Sequence, residues 1–266
     1  MNSATPNAAA LSVERVSVRF GGLKAVDDVT FRVNEGELVS LIGPNGAGKT
    51  TAFNVITGFL APTSGEVKYR GVSLKGLKSH EVANLGLIRT FQKTSVFAAN
   101  SVFENVLIGL HRHGRSSVWQ TLLGTRRVRE EEARLRAEAS DILAFVGLAK
   151  RAAELGGALP YGEQRLLEVA VALAARPTLL LLDEPVSGMN PSETAAFIEL
   201  IARIRQRSVT VLLVEHDMRL VMNVSDRVVV LNYGKIIAEG PPGAIQENPE
   251  VIRAYLGHGG KSLPHA

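Results

Sequence analysis

Leu38-Val39-Ser40-Leu41-Ile42-Gly43-Pro44-Asn45-Gly46-Ala47-Gly48-Lys49-Thr50 is the stretch from which the fold can be read. The five residues to Ile42 form a short buried-strand pattern, the next eight fit G-x-x-x-x-G-K-[ST], and Lys49 to Gly58 continues with helical spacing. Strand, loop and helix in that order are the setting in which such a loop holds phosphate. Glycines let backbone N–H groups turn inward around phosphate oxygens, and the helix amino end adds positive potential. Lys49 can reach the terminal phosphates, and the Thr50 hydroxyl can ligate Mg²⁺. Gly43 to Thr50, with Thr51 behind them, are therefore the candidate nucleotide contacts.

Downstream, short buried β-rich runs alternate with helices: strand Thr178 to Leu182, helix Glu193 to Gln206, strand Val209 to Val214, helix Met218 to Val224 and strand Arg227 to Asn232. That order predicts a parallel, doubly wound sheet. Upstream, Leu11 to Phe20 and Val26 to Val33 alternate apolar and polar residues around Gly21-Gly22, as antiparallel strands would. Between these regions lie a short strand at Glu66 to Tyr69, a helix at Ser79 to Asn84 and a strand at Leu87 to Thr90. Helices then follow at Ser101 to Leu110, Val128 to Val146 and Arg165 to Ala175, with His111 to Thr125 a surface connection. On the second of these helices Glu130/Arg134 and Glu132/Arg136 are i,i+4 pairs marking a solvated face. The expected architecture is an α/β P-loop NTPase (RecA-like) core, with an amino-terminal antiparallel β subdomain and a helical insert over about residues 93–165. One domain is expected over 11–257, with disordered tails at 1–10 and 258–266.

Composition narrows the class. With 45% apolar and 21% charged side chains in 266 residues, disordered and collagen-like readings fail. The absence of cysteine excludes a disulfide framework, a thiolate metal site and a cysteine nucleophile. The longest apolar runs stop far short of the ~20 residues of a spanning helix. No basic region precedes an apolar stretch in Met1 to Ala10, so a secretory signal is not expected and a cytoplasmic location is. A net charge of +4 without a long Lys/Arg run gives no case for a nucleic-acid partner.

Four further polar groups fall at carboxyl ends of predicted strands, where open α/β sheets bind ligands. Asp183 and Glu184 follow the strand ending at Leu182; one can hold Mg²⁺, and the other can orient or deprotonate an attacking water. His216 follows the next strand and could hydrogen-bond a γ-phosphate. Gln92 follows the strand Leu87 to Thr90, where spacing alone does not identify it.

Together these residues resemble the ATP-binding subunit of an ABC transporter over about Leu11 to Gly257. The resemblance implies ATP and Mg²⁺ as ligands, with Lys49, Gln92, Glu184 and His216 as catalytic residues and Thr50, Gln92 and Asp183 at the metal. Gln92 becomes the Q-loop, Asp183 and Glu184 the Walker B aspartate and catalytic glutamate, and His216 the switch histidine. Phe20, which as an aromatic at a strand end reads as core, becomes the ring that stacks on adenine. Leu159-Pro160-Tyr161-Gly162-Glu163-Gln164 takes the place of the signature L-S-G-G-Q, with Gly162 as a nucleotide contact. Pro160 and Tyr161 depart from that signature, and the Tyr161 hydroxyl is a possible substitute donor. In that family each ATP lies between one subunit's phosphate loop and the other's signature, so a second ATPase subunit is implied. Asn190 occupies the D-loop where Asp is usual, and Asn190, Pro191 and Glu193 also fit the N-cap, N1 and N3 of the next helix.

More narrowly, Arg19-Phe20-Gly21-Gly22, Arg89-Thr90-Phe91-Gln92, Tyr161-Gly162, Glu215-His216-Asp217-Met218 and Ala254-Tyr255-Leu256-Gly257 are similar to the branched-chain amino acid importer branch. That similarity implies an ATPase powering import of hydrophobic amino acids from the inner face of the cytoplasmic membrane. Two permeases and, indirectly, a substrate-binding protein are its implied partners. Urea or amide import and lipid or lipopolysaccharide export are the other cargoes the same machine could serve, and a non-transport cassette ATPase is a further alternative.

Overall fold

The computed structural model describes residues 9–90, 96–111 and 126–256. Its first strands, β1 (Ala9–Phe20) and β2 (Leu23–Asn34), pair antiparallel with Phe20 opposite Leu23 across the Gly21-Gly22 turn. Period-two alternation buries Leu11, Val13, Val16 and Val18 of β1 with Val29, Phe31 and Val33 of β2. β4 (Ser64–Tyr69) pairs with β1 and β5 (Val72–Ser73) with β4, giving a sheet of order β2-β1-β4-β5.

The second sheet contains the strands that carry the predicted site. It comprises β3 (Leu38–Ile42), β6 (Leu87–Arg89), β7 (Leu179–Asp183), β8 (Thr210–Val214), β9 (Arg227–Asn232) and β10 (Lys235–Gly240), in the order β10-β9-β3-β8-β7-β6. Every pairing is parallel except that of β10 with β9. All residues of β3, β7 and β8 are buried, which is why these strands read as mainly apolar runs, with Ser40, Asp183 and Thr210 their only polar members. On one face α1 (Lys49–Ile56) contributes Ala52, Phe53, Val55 and Ile56 to a core shared with Leu11, Phe31, Leu41, Leu181 and Leu212. Phe53 is fully buried, worth about 1.5–3 kcal/mol. On the other face Ile42, Val228 and Val230 pack with Met218 and Val221 of α7 (Met218–Val224), Ile245 of α8 (Pro242–Gln246) and Val251 of α9 (Pro249–Leu256). Two further helices are α2 (Ser79–Asn84) and α6 (Pro191–Gln206).

Two compact units result. The strands above belong to the unit made by the chain up to Arg89, Thr178–Pro185 and the chain from Thr194. The other comprises Thr90–Pro177 with Val186–Glu193, and there α3 (Val102–His111), α4 (Arg126–Val146) and α5 (Tyr161–Ala174) pack together. Val106, Leu110, Leu135, Ala139, Leu143, Leu167 and Ala170 are among its buried residues. On α4 the Glu132–Arg136 pair forms at 2.9 Å, while Glu130 pairs with Arg126 at 2.8 Å.

Several expected boundaries shift. α5 begins at Tyr161 rather than Arg165, so Gly162 lies inside its first turn. Pro160 (φ −53°) sits at the N-cap, where its missing N–H removes no helical bond, and Glu163 suits the positive helix start. β10 lacks a period-two pattern because it is a half-exposed edge strand. The short helices α8 and α9 are preceded or opened by Pro241, Pro242 and Pro249, a start signal that was available in the sequence. Gln92 and residues 112–125 lie outside the described residues.

Candidate active site

In the parallel ladder Leu41 of β3 and Asp183 of β7 both stand opposite Val214 of β8. The loop after β3, the carboxylates ending β7 and the histidine after β8 therefore emerge along one edge of the sheet. A cleft of about 580 Å³ opens there, lined by Phe20, Leu23, Asn45 to Thr51, Glu184 and Tyr233 among others. That is the size range of a nucleotide-sized ligand site.

Backbone geometry fixes the loop. Gly48 has φ +104°, and a Cβ on it would lie 2.4 Å from the Ala25 carbonyl oxygen, so only glycine fits. Gly48 is also the N-cap of α1, which has no side-chain cap and no acidic residue in its first turn. Its first N–H groups are thus left for an external anion. Below them the buried Lys49 ammonium donates to the carbonyls of Gly43 (2.6 Å) and Pro44 (3.1 Å). Burial pushes its pKa down, against the pull of Glu184 and then Asp183. A phosphate there would supply negative charge that offsets the hydration lost on burial.

At the end of β7, Asp183 is buried and paired with Arg89: Nη2 donates to Oδ2 at 2.6 Å. Burial pushes the Asp183 pKa up, and the hydrogen bond and charge of Arg89 oppose that rise. The other oxygen, Oδ1, is buried without a hydrogen-bond partner among the described residues. A buried orphan carboxylate oxygen and the Thr50 hydroxyl at the cleft are hard oxygen donors that suit Mg²⁺. Among the described residues no group of three or more His, Cys, Asp or Glu could hold a metal by itself. A cation here would share nucleotide phosphate oxygens, as Mg²⁺ characteristically does.

Glu184 lines the cleft in the left-handed region at φ +47°, its N–H donating to Val214 O at 2.8 Å. For a residue with a Cβ that conformation costs about 1–2 kcal/mol, and it aims the carboxylate into the cleft. His216 Nδ1 lies 3.9 Å from Glu184 Oε1, beyond hydrogen-bond reach. Its backbone is fixed from below, where the buried Glu215 Oε2 accepts the N–H groups of His216 (2.9 Å) and Asp217 (3.2 Å). The structure thus gathers Phe20, the phosphate loop, Asp183, Glu184 and His216 at one edge, with Gln92 outside the described residues. Arg89, Glu215 and Tyr233 were not singled out as site residues. Arg89 was detectable as a cation ending a buried strand just before Gln92.

The signature segment, in the other unit, is built differently. The Tyr161 phenol oxygen accepts from Arg165 Nε (3.1 Å) and Nη2 (2.6 Å), and the guanidinium lies 5.0 Å from the ring centroid. Arg165 in turn pairs with Glu168 at 2.9 Å, both side chains buried. A Cβ on Gly162 would meet the Glu193 carboxylate at 2.5 Å. Asn190 caps α6: Oδ1 accepts from Ser192 N (2.9 Å) and Glu193 N (3.0 Å), while Glu193 Oε2 accepts from Asn190 N (2.8 Å).

Comparison with known proteins gives a consistent result. A family model described as "ABC transporter" matches residues 26–187, and one described as "Branched-chain amino acid ATP-binding cassette transporter" matches residues 235–261. The chain is 46% identical over 248 residues to the high-affinity branched-chain amino acid transport ATP-binding protein BraF of Pseudomonas aeruginosa, covering 93% of this chain and 97% of that protein. It is 45% identical, with the same coverage, to the corresponding protein LivG of Escherichia coli. Among solved structures, the ADP conformation of an ATP-binding cassette of an ABC transporter aligns with a TM-score of 0.82 at 31% identity, covering 94% of this chain and 99% of that one.

Proposed function

Since the chain belongs to the ABC transporter family as one of its ATP-binding cassettes, we propose that it is the ATP-hydrolysing subunit of an importer for branched-chain and other hydrophobic amino acids. The observation that carries this reading is the similarity over 93% of the chain to branched-chain amino acid transport ATP-binding proteins. The carboxyl-terminal match over residues 235–261 supports it independently of the common cassette core.

In this reading adenine stacks on Phe20, and the loop Gly43 to Thr51 surrounds the phosphates with N–H groups. Lys49 turns from its two carbonyls to the terminal phosphate, and Glu184 takes a proton from the attacking water. His216, its backbone fixed by Glu215, swings to the γ-phosphate when nucleotide is bound. When bound, Mg²⁺ would be held by Thr50, Gln92 and Asp183 and would supply neutralisation of the phosphate charge. A second ATPase subunit completes the site through its own signature, and this chain's Gly162 segment completes the partner's. Two permeases receive the energy, the helical insert over about residues 93–165 carries their contact, and the complex works at the inner membrane face. Among the described residues no helix is long and apolar enough to cross a membrane.

The test is to isolate the complex from membranes, reconstitute it in vesicles with its binding protein, and follow ATP-driven uptake of labelled leucine, isoleucine and valine. Uptake of the amino acids that stops with Glu184→Gln supports the reading. ATP-driven movement of urea, an amide or a lipid, with no amino-acid uptake, would replace the cargo.

A further inference from the structure

Two of the groups assigned to Mg²⁺, Thr50 and Asp183, stand on α1 and β7, and one side chain bears on both elements. Arg89 is the last residue of β6, three positions before Gln92. Its Nη2 donates to Asp183 Oδ2 at 2.6 Å, at the end of β7. Its Nη1 donates to Asn54 Oδ1 at 2.7 Å and reaches Thr57 Oγ1 at 3.3 Å. Asn54 lies on α1 four residues after Thr50, one helical turn along. The guanidinium also lies 5.4 Å from the Phe53 ring centroid, held against α1. Within the pair the Arg89 side chain is 8% exposed and that of Asp183 0%.

We propose that Arg89 is a positioning residue for the metal: its fork ties the elements that carry Thr50 and Asp183 into one register and leaves Asp183 a single oxygen, Oδ1, to offer a cation. The inference rests on the reading of Thr50 and Asp183 as metal ligands. Its chemistry is that of a planar fork. One guanidinium can hold a carboxylate and an amide oxygen at fixed separation, which an ammonium cannot do with comparable geometry. Groups that orient a ligand carboxylate from behind typically govern about 10–100-fold in metal affinity. Arg89 also neutralises one of two adjacent carboxylates, Asp183, while Glu184 lines the cleft.

The experiment uses the full chain and a fluorescent ATP analogue, with binding measured in EDTA and across a Mg²⁺ titration, alongside thermal unfolding. Arg89→Met should raise the half-effective Mg²⁺ concentration about 10-fold while leaving affinity in EDTA unchanged. Arg89→Lys should recover part of that loss. Asn54→Ala, which keeps the Arg89–Asp183 pair but releases the guanidinium from α1, should shift the titration in the same direction by less. If Arg89→Met lowers the unfolding midpoint yet leaves the Mg²⁺ titration unmoved, Arg89 only braces the fold and the proposal is overturned. If Arg89→Met does not fold, Arg89→Lys decides: an unmoved titration overturns the proposal and a shifted one supports it. Asp183→Asn separates the underlying reading. A titration that Asp183→Asn fails to move shows the metal assignment itself to be wrong, whereas one moved by Asp183→Asn and not by Arg89→Met removes only the role of Arg89.

Discussion

The phosphate loop and the signature segment are both glycine-bearing helix starts, yet they are held by different means. At Gly48 the obstacle to a side chain is a backbone carbonyl, Ala25 O at 2.4 Å, and the φ of +104° excludes any other residue. At Gly162 the backbone is helical and the obstacle is the end of a side chain, Glu193, at 2.5 Å. Their electrostatics differ as well. α1 begins with no acidic residue in its first turn, whereas α5 begins with Glu163, itself paired with Arg151 at 3.2 Å, and has the Glu193 carboxylate against Gly162. One helix start is built by backbone and left open to an anion. The other already carries carboxylates, and its proline N-cap offers neither a hydroxyl nor an N–H. Rigid backbone makes the first intolerant of change, and adjustable side chains make the second permissive.

The largest expected effects lie on the phosphate-loop side. Glu184→Gln should cut turnover at least about 100-fold while ATP stays bound, the usual scale for a general base, and retained turnover in the purified complex would refute that role. Lys49→Ala should weaken ATP binding about 10–100-fold, since each hydrogen bond to a charged group is worth about 1.5–3 kcal/mol; calorimetric titration reads it directly. Gly48→Ala should abolish nucleotide binding, whereas Gly162→Ala should leave the binding of ATP to this chain's own loop intact. Equal losses from the two alanines would erase the contrast between backbone and side-chain control.

Next in size is an asymmetry between the two composite sites of the proposed heterodimer. A signature that has lost the serine donor and gained carboxylates should complete its site poorly, at about 1–3 kcal/mol per missing bond. Hydrolysis should run mainly at the site holding Lys49, Glu184 and His216. Replacing the catalytic glutamate in each subunit separately tests this, because a larger loss from the partner's replacement would reverse the assignment.

How far the sequence could be read follows the same division. β3, β7 and β8 are buried on both faces, so their apolar runs marked them, and the loop pattern located the phosphate site. The Arg89–Asp183 pair was not legible, because it depends on β6 pairing with β7 across about 90 residues of chain. The signature was legible as a segment and misjudged as a structure. Its helix starts at Tyr161 because proline serves as N-cap, and the Tyr161 hydroxyl is bound by Arg165, a contact that spacing alone does not reveal. That contact yields a smaller prediction. Tyr161→Phe removes an acceptor from a buried guanidinium and should cost about 1–3 kcal/mol of stability, read by denaturant unfolding. A neutral outcome would show that the bonds from Arg165 do not stabilise the fold; the phenol O–H remains able to donate in either case.

The smallest expected effect separates two readings of Asn190. As a cap, its Oδ1 accepts the N–H groups of Ser192 and Glu193, and Glu193 returns a bond to the Asn190 N–H. Losing such a cap costs about 1 kcal/mol, and aspartate caps as well as asparagine does. Asn190→Ala should therefore lower stability by about that amount, and Asn190→Asp should leave it unchanged. The D-loop position, by contrast, concerns turnover in the assembled complex and not the fold of the chain. A ledger of both quantities for both variants distinguishes them. If Asn190→Ala loses stability and Asn190→Asp alters neither stability nor ATP hydrolysis, the residue acts as a cap. Unchanged stability in both variants with altered hydrolysis in either would assign it to the site between subunits, and the reciprocal bonds with Glu193 would then be incidental to its role.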